Sequence, residues 1–458
     1  MNANGKKAAE RIFESVLAKI KPSEEELRKT TENINEITAA LRKIVPKEVE
    51  IRVVGSVVRG TQLRGESDID VFLLFGRRLK RDYITKKGLE YAKKIISDKR
   101  DRYEIRYAEH PYTKLYLNSM GVEADIVPAF NIDKIEEMAT AVDRSPMHAE
   151  FMIKHLSDRQ RDDVRLLKYL LLQHGIYGAE VATGGFSGYL CELLVHHFGS
   201  LIDTLEAVSN IKVPIALAPA KREAISDKKI TERFHSDFVV IDPVDTDRNV
   251  AAAVSKESLS KFTVIAREFV KEPSMKLFEN KKRASGYQQS LEKFLTDSGL
   301  DAFLICMKVP DKSEDTIWPQ LRKVSWLIKD YAERFGFEIW YLIPSVKGNV
   351  GMIFMLAPKK TLKSRLAKGP SVLLKEAQVE FLEKHKNALG VTFFDDKIYA
   401  LEKNKYSKLE EVLRYVVTGK LKKRHKDISM SGAKLFVGHV PAEYAQLVYS
   451  GLLQKISI

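Results

Sequence analysis

The sequence predicts a multi-domain α/β protein in which a mixed sheet comes first, a helix-rich segment follows, and a second sheet with helices closes the chain. Three observations carry this. At 458 residues the chain exceeds what one hydrophobic core organises, so roughly two to four domains are expected. An apolar run at 71–75 is accompanied by strand-like segments at 49–54, 103–109, 114–117 and 122–127. From residue 300 the order strand, helix, strand, strand describes a further sheet.

Composition narrows the function. The chain is 44% hydrophobic and 30% charged, as globular proteins are, and its net charge of +14 points to a polyanionic partner such as nucleic acid. No apolar run approaches the roughly 18 residues of a membrane span, and the amphipathic start is unlike a signal peptide, so a cytoplasmic protein without a membrane partner is expected. Cys191 and Cys306 stand far apart without zinc spacing and read as small buried residues.

In chain order, residues 5–20 read as a helix, and Ser23 with Glu26 forms a capping box that opens a second one. Its Ile34, Ile37, Leu41 and Ile44 share one face, as in a helix covering a sheet. A strand at 49–54 then meets Gly55-Ser56, which turns the chain into a short helix beginning near Val57. Backbone N–H groups there suit an anion, Gly55 permits close approach, and Arg59 adds positive charge. Asp68 and Asp70 follow. Strand alternation puts both on one face with Ile69 on the other, and hard oxygen ligands in such a pair suit Mg²⁺. A helix around 87–96 and a strand at 103–109 lead to a hairpin of 114–117 and 122–127, completing a mixed sheet with helices on one side. Glu123 and Asp125 lie on one face of the last strand, and periodicity does not choose between them as a third carboxylate. Three carboxylates on neighbouring strands can hold two ions for phosphoryl transfer.

Helices are expected at 149–156, at 162–174 and from Ser187, joined by a Gly-rich loop. The polar turn at 242–249 ends near Arg248, whose plainest reading is a surface residue. The last sheet uses 300–308, 337–344 and 350–357 around a helix at 319–335, in the ferredoxin-like or RRM-like order, without the paired aromatics of an RNA-stacking face. Lys359, Lys360, Lys363, Arg365 and Lys368 begin a basic helical segment. Lys420, Lys422, Lys423, Arg424 and Lys426 form a second basic cluster, and both clusters suit a phosphate backbone.

Taken together, strand, Gly-Ser, Arg and Asp-x-Asp resemble the nucleotidyltransferase superfamily of DNA polymerase beta. The blocks GSVVRGTQLRGESDIDVFLLF, YEIRYAEHPY, VEADIVPAF, AVDRSPMH, VRLLKYLLLQHGIYGAE, GGFSGYLCELL, DPVDTDRNVAAAVS and EDTIWPQLRK, in this order, resemble the archaeal-type, class I CCA-adding enzymes more closely. The resemblance implies a catalytic mixed-sheet head at 1–148, a helical nucleotide-binding neck at 149–260, and an RRM-like body with a helical tail at 261–458 that holds tRNA. It implies addition of C, C and A to tRNA lacking complete CCA, from CTP and ATP, with two Mg²⁺ ions. Asp68, Asp70 and Asp125 would be the metal ligands, with Glu123 in a supporting role. Gly55, Ser56, Arg59, His148, Lys168, Tyr177 and Arg248 would bind the nucleotide, Arg248 reading its base. Lys359, Lys360, Lys363, Lys422, Lys423 and Arg424 are the candidate tRNA contacts. The sequence departs from the family pattern at Val57-Val58, where Tyr-Ala is common, and has Asp68 where some relatives carry Glu. A homodimer is compatible with the sequence, as are two other readings: a poly(A) polymerase-like tailing enzyme and an inactive RNA-binding protein.

Overall fold

A computed structural model describes residues 1–458 apart from 67, 97, 108–110, 221–222, 226–227, 280–285, 419–427, 429, 431 and 457–458. The chain forms two compact units, Met1–Lys282 and Arg283–Ser457.

The first unit opens with α1 (Ala3–Ile20) and α2 (Glu24–Ile44). The expected capping box is present at α2: Glu26 N–H donates to Ser23 Oγ at 3.2 Å, and Ser23 N–H donates to Glu26 Oε2 at 2.7 Å. Then come β1 (Glu50–Val54), α3 (Gly55–Arg59), β2 (Ile69–Phe75), α4 (Arg81–Lys94), β3 (Arg102–Tyr107), β4 (Pro111–Leu117) and β5 (Val122–Phe130). The sheet order is β1-β2-β5-β4-β3, with β2 and β5 parallel and the other pairs antiparallel. On β2, Ile69, Val71, Leu73 and Phe75 pack with Ile37 and Leu41 of α2 and Ile84 of α4. Phe72 and Leu74 point the other way, onto Val54, Val127 and Ala149. Because Ala149 belongs to α5 (Ser145–His155), a helix also covers part of the second face. This corrects the expectation of helices on one side: β2 is apolar on both faces, and both need cover.

The helical half continues with α6 (Asp158–Gln173), α7 (Gly188–Phe198) and α8 (Leu201–Ser209). After these come β6 (Ile215–Ala218), β7 (Glu223–Ile225), α9 (Lys228–Arg233), β8 (Phe238–Val240) and α10 (Lys256–Lys271). Ala9, Phe13, Val16 and Ile20 of α1 join this core, with Phe13 stacked on Phe269 of α10 at 5.5 Å. Residues 3–20 belong with the helices rather than the sheet, and a cut at 260 would fall inside α10, whose Phe262, Ile265 and Phe269 are core.

The second unit contains, in order, α11 (Tyr287–Ser298), β9 (Leu300–Lys308), α12 (Glu314–Glu333), β10 (Tyr341–Lys347), β11 (Val350–Pro358) and β12 (Ser364–Ser371). It continues with α13 (Lys375–Lys384), β13 (Gly390–Phe394), β14 (Lys397–Lys403), α14 (Leu409–Val417), β15 (Lys434–Val437) and α15 (Ala442–Ile456). The expected strand-helix-strand-strand order forms an antiparallel sheet, β10-β11-β9-β15. Along β9, Phe303, Ile305 and Met307 face α12 and α14, while Leu304 and Cys306 face α11 and α15. The expected basic helix after 359 is instead a loop and β12, in a second sheet β12-β14-β13, so the tail is not all helical. Tertiary pairing explains the difference, since Ser364 to Lys368 run antiparallel to β14, opposite Lys403 to Tyr399. Lys420, Lys422, Lys423, Arg424 and Lys426 lie outside the described residues. Both cysteines are buried and free, and no helix among the described residues is long and apolar enough to cross a membrane.

Candidate active site

The site begins where β1 ends. Val54 pairs with Asp70 across the antiparallel β1–β2 ladder, and Gly55 then turns the chain at φ 86°. A Cβ on Gly55 would lie 2.2 Å from Asp70 Oδ2, so glycine alone permits this approach. Helix α3 starts at Gly55 rather than near Val57, which places Ser56 in its first turn, and no side chain caps that turn among the described residues.

Sheet register assembles the carboxylates. Parallel pairing sets Asp70 opposite Asp125, and antiparallel pairing sets Lys114 of β4 opposite Asp125. Asp68 lies just before β2 with its side chain 73% exposed. Lys114 Nζ is 2.7 Å from Glu123 Oε2, 3.7 Å from Asp68 Oδ1 and 3.8 Å from Asp125 Oδ1. Burial, then the charge of Asp125, push the Asp70 carboxyl up to about 6 in spite of Arg59 and Lys114. Asp125 is raised too, mainly by burial, and its buried Oδ1 has no hydrogen-bond partner. Among the described residues no three His, Cys, Asp or Glu side chains close into a ready metal cage. The carboxylates surround an ammonium instead. Their hard oxygens, one of them buried without a hydrogen bond, are the donor type that Mg²⁺ takes.

Two further clusters hold the nucleotide candidates. The first centres on Glu192 of α7, a fully buried carboxylate in the apolar run YLCELL. Arg59 Nε donates to Glu192 Oε1 at 3.0 Å and Thr61 Oγ1 donates to the same oxygen at 2.6 Å. Lys168 Nζ donates to the Thr61 carbonyl at 3.0 Å and lies 3.9 Å from Glu192. Burial pushes the Lys168 ammonium below its ordinary value, against the pull of Glu192. A Cβ on Gly188 would lie 3.2 Å from Tyr177 Oη and 3.4 Å from Lys168 Nζ, so both head groups face the start of α7. Lys168 is only 1% exposed and lines no open surface.

The second cluster centres on Asp242. His148 Nε2 and Arg248 Nη1 each lie 2.8 Å from Asp242 Oδ2, and Tyr189 Oη donates to Oδ1 at 3.1 Å. The rings of His148 and Tyr189 stack at 4.2 Å. Burial raises the Asp242 carboxyl, but hydrogen bonds from His148, Arg248 and the Val244 N–H outweigh it and hold it at about 2. Burial lowers the His148 imidazole, against the hydrogen bond and charge of Asp242, which pull it up. The structure thus brings together Arg59, Lys168 and Tyr177, and separately His148 and Arg248. Lys359, Lys360 and Lys363 are exposed on the second unit.

Sequence reasoning missed Lys114, Glu192, Tyr189 and Asp242 as site residues. An acid inside YLCELL was a signal for Glu192, and the hairpin's register was one for Lys114. Nothing local marked Asp242 apart from its place in the DPVDTDRN block.

The mixed sheet with an Asp-x-Asp and a facing third carboxylate defines a nucleotidyltransferase. Residues 34–155 match the family model described as nucleotidyltransferase domain, and 162–279 match tRNA nucleotidyltransferase, second domain. Residues 299–431 match CCA-adding enzyme, C-terminal domain. The CCA-adding enzyme of Methanocaldococcus jannaschii is 34% identical over 424 residues, 90% of this chain and 91% of that protein. That of Archaeoglobus fulgidus is 32% identical over 449 residues, 96% of this chain and 98% of its own. A solved structure of Cid1, described by its RNA terminal uridylyl transferase activity, shares the fold. Its TM-score is 0.50 at 16% identity, covering 61% of this chain and 99% of its own. The chain belongs to the CCA-adding enzyme family.

Proposed function

We propose that this chain adds C, C and A to the 3′ end of tRNA that lacks them, using CTP and ATP and releasing pyrophosphate. The tRNA 3′-hydroxyl oxygen bonds to the α-phosphorus of the incoming nucleotide. The bond from that phosphorus to pyrophosphate breaks, and the hydroxyl proton passes to solvent. The observation that carries the transfer chemistry is the parallel register that places Asp70 opposite Asp125 beside the Gly55 turn, and the choice of tRNA and of C, C and A rests on the family.

Asp68, Asp70 and Asp125 would hold two Mg²⁺ ions. When bound, Mg²⁺ lowers the pKa of the attacking hydroxyl and offsets triphosphate charge. Gly55 and Ser56 present backbone N–H groups to phosphate. Arg59 offers its positive charge to the triphosphate, while the buried Lys168 acts from behind it, holding the Thr61 carbonyl and lying beside Glu192. Tyr177 packs beside Lys168. Arg248 reads the base edge, oriented by Asp242 in company with His148. The match at 299–431 supports a CCA-adding enzyme over an open-ended tailing enzyme.

Replacing Asp70 tests the carboxylate assignment. Asp70→Ala is expected to lower nucleotide incorporation into tRNA by about a thousandfold or more while the protein still folds, as judged by thermal melting. Wild-type incorporation would show that the chemistry lies elsewhere.

A further inference from the structure

We propose that Lys114 is a built-in counter-cation that competes with the divalent metal for Asp68 and Asp125, and that Glu123 sets the strength of this competition by drawing the ammonium away. The inference rests on the metal assignment above and concerns how readily the metal enters.

Lys114 stands opposite Asp125 in the sheet, with its side chain 11% exposed. Its Nζ hydrogen-bonds Glu123 at 2.7 Å, while 3.7 Å to Asp68 and 3.8 Å to Asp125 are too long for good hydrogen bonds. At those separations Coulomb attraction remains substantial in a partly buried setting. An ammonium at this position neutralises part of the charge on two groups that would also hold the metal. A doubly charged ion beside them is repelled by it. Glu123 Oε2 is its nearest acceptor, on a side chain 46% exposed, so the ammonium can keep Glu123 while it loses the two aspartates. Without Glu123, the aspartates become its nearest carboxylates. The pair thus acts as an electrostatic balance between a closed, metal-free carboxylate cluster and a metal-loaded one.

Mn²⁺ titration of the nucleotide-free full-length protein, followed by the electron paramagnetic resonance signal of free Mn²⁺, reads this directly. Lys114→Met is expected to bind Mn²⁺ about tenfold more tightly than wild type, and its metal-free melting temperature should fall. Glu123→Gln should bind about threefold more weakly, and that effect should largely vanish in the Lys114→Met background. Unchanged or weaker binding by Lys114→Met would overturn the proposal. Equal weakening by Glu123→Gln in both backgrounds would overturn it too, because Glu123 would then act through its own charge alone. Lys114→Gln, with a polar side chain, repeats the measurement if the methionine variant does not fold. Wild-type Mn²⁺ binding that is insensitive to Asp70→Asn would instead defeat the metal assignment, and the competition with it.

Discussion

A carboxylate without water is costly unless cations and donors surround it, and Asp242 shows what such a group can do once they are present. Three side chains from different parts of the chain converge on its two oxygens: His148, Tyr189 and Arg248. The guanidinium is thereby fixed in direction while remaining 31% exposed. Asp242→Asn keeps the shape but removes the charge that orients Arg248. The KM for CTP and ATP is expected to rise about tenfold, with kcat changed by less than about threefold, in steady-state assays. An unchanged KM would mean that Arg248 is oriented by something else. Glu192 plays the equivalent part for Arg59, Thr61 and Lys168. The partners of neither hub were legible in the sequence, because they lie far along the chain: His148 is 94 residues from Asp242 and Arg59 is 133 from Glu192. Strand alternation, which is local, set Asp70 on one face of β2, whereas Asp68 falls just before that strand. Asp125 was narrowed to one of two residues by periodicity and chosen through the family pattern.

At the scale of elements, local signals did well where they were enough to form the element. The capping box at Ser23 and the 114–127 hairpin are examples. They failed where tertiary pairing decided: β12 exists because β14 runs beside it, and the lysines before it carry no trace of that partner. Helix α6 carries a further consequence. Its Asp163 is buried, with Oδ2 lacking a hydrogen-bond partner, and burial raises the carboxyl to about 6 against the Leu201 N–H that lowers it. The folded pKa exceeds the unfolded one, so the favourable contribution is complete below about pH 4 and is lost as pH rises through about 6. Asp163→Asn is therefore expected to gain about 1–2 kcal/mol over wild type at pH 7.5, and to match it at pH 4.5 more closely, by urea unfolding. A gain independent of pH would contradict this assignment.

On the scale of the molecule, the first unit carries the carboxylates and both hubs, while the second carries the match to the C-terminal domain of CCA-adding enzymes. The net charge of +14 fits a polyanionic substrate but did not by itself select tRNA. That choice rests on the family. Transcribed tRNA ending one nucleotide before CCA would be incubated with the protein, Mg²⁺ and labelled CTP and ATP, and the 3′ ends sequenced. The expected result is C, C and A in that order with no further growth; open-ended extension with ATP alone would contradict it.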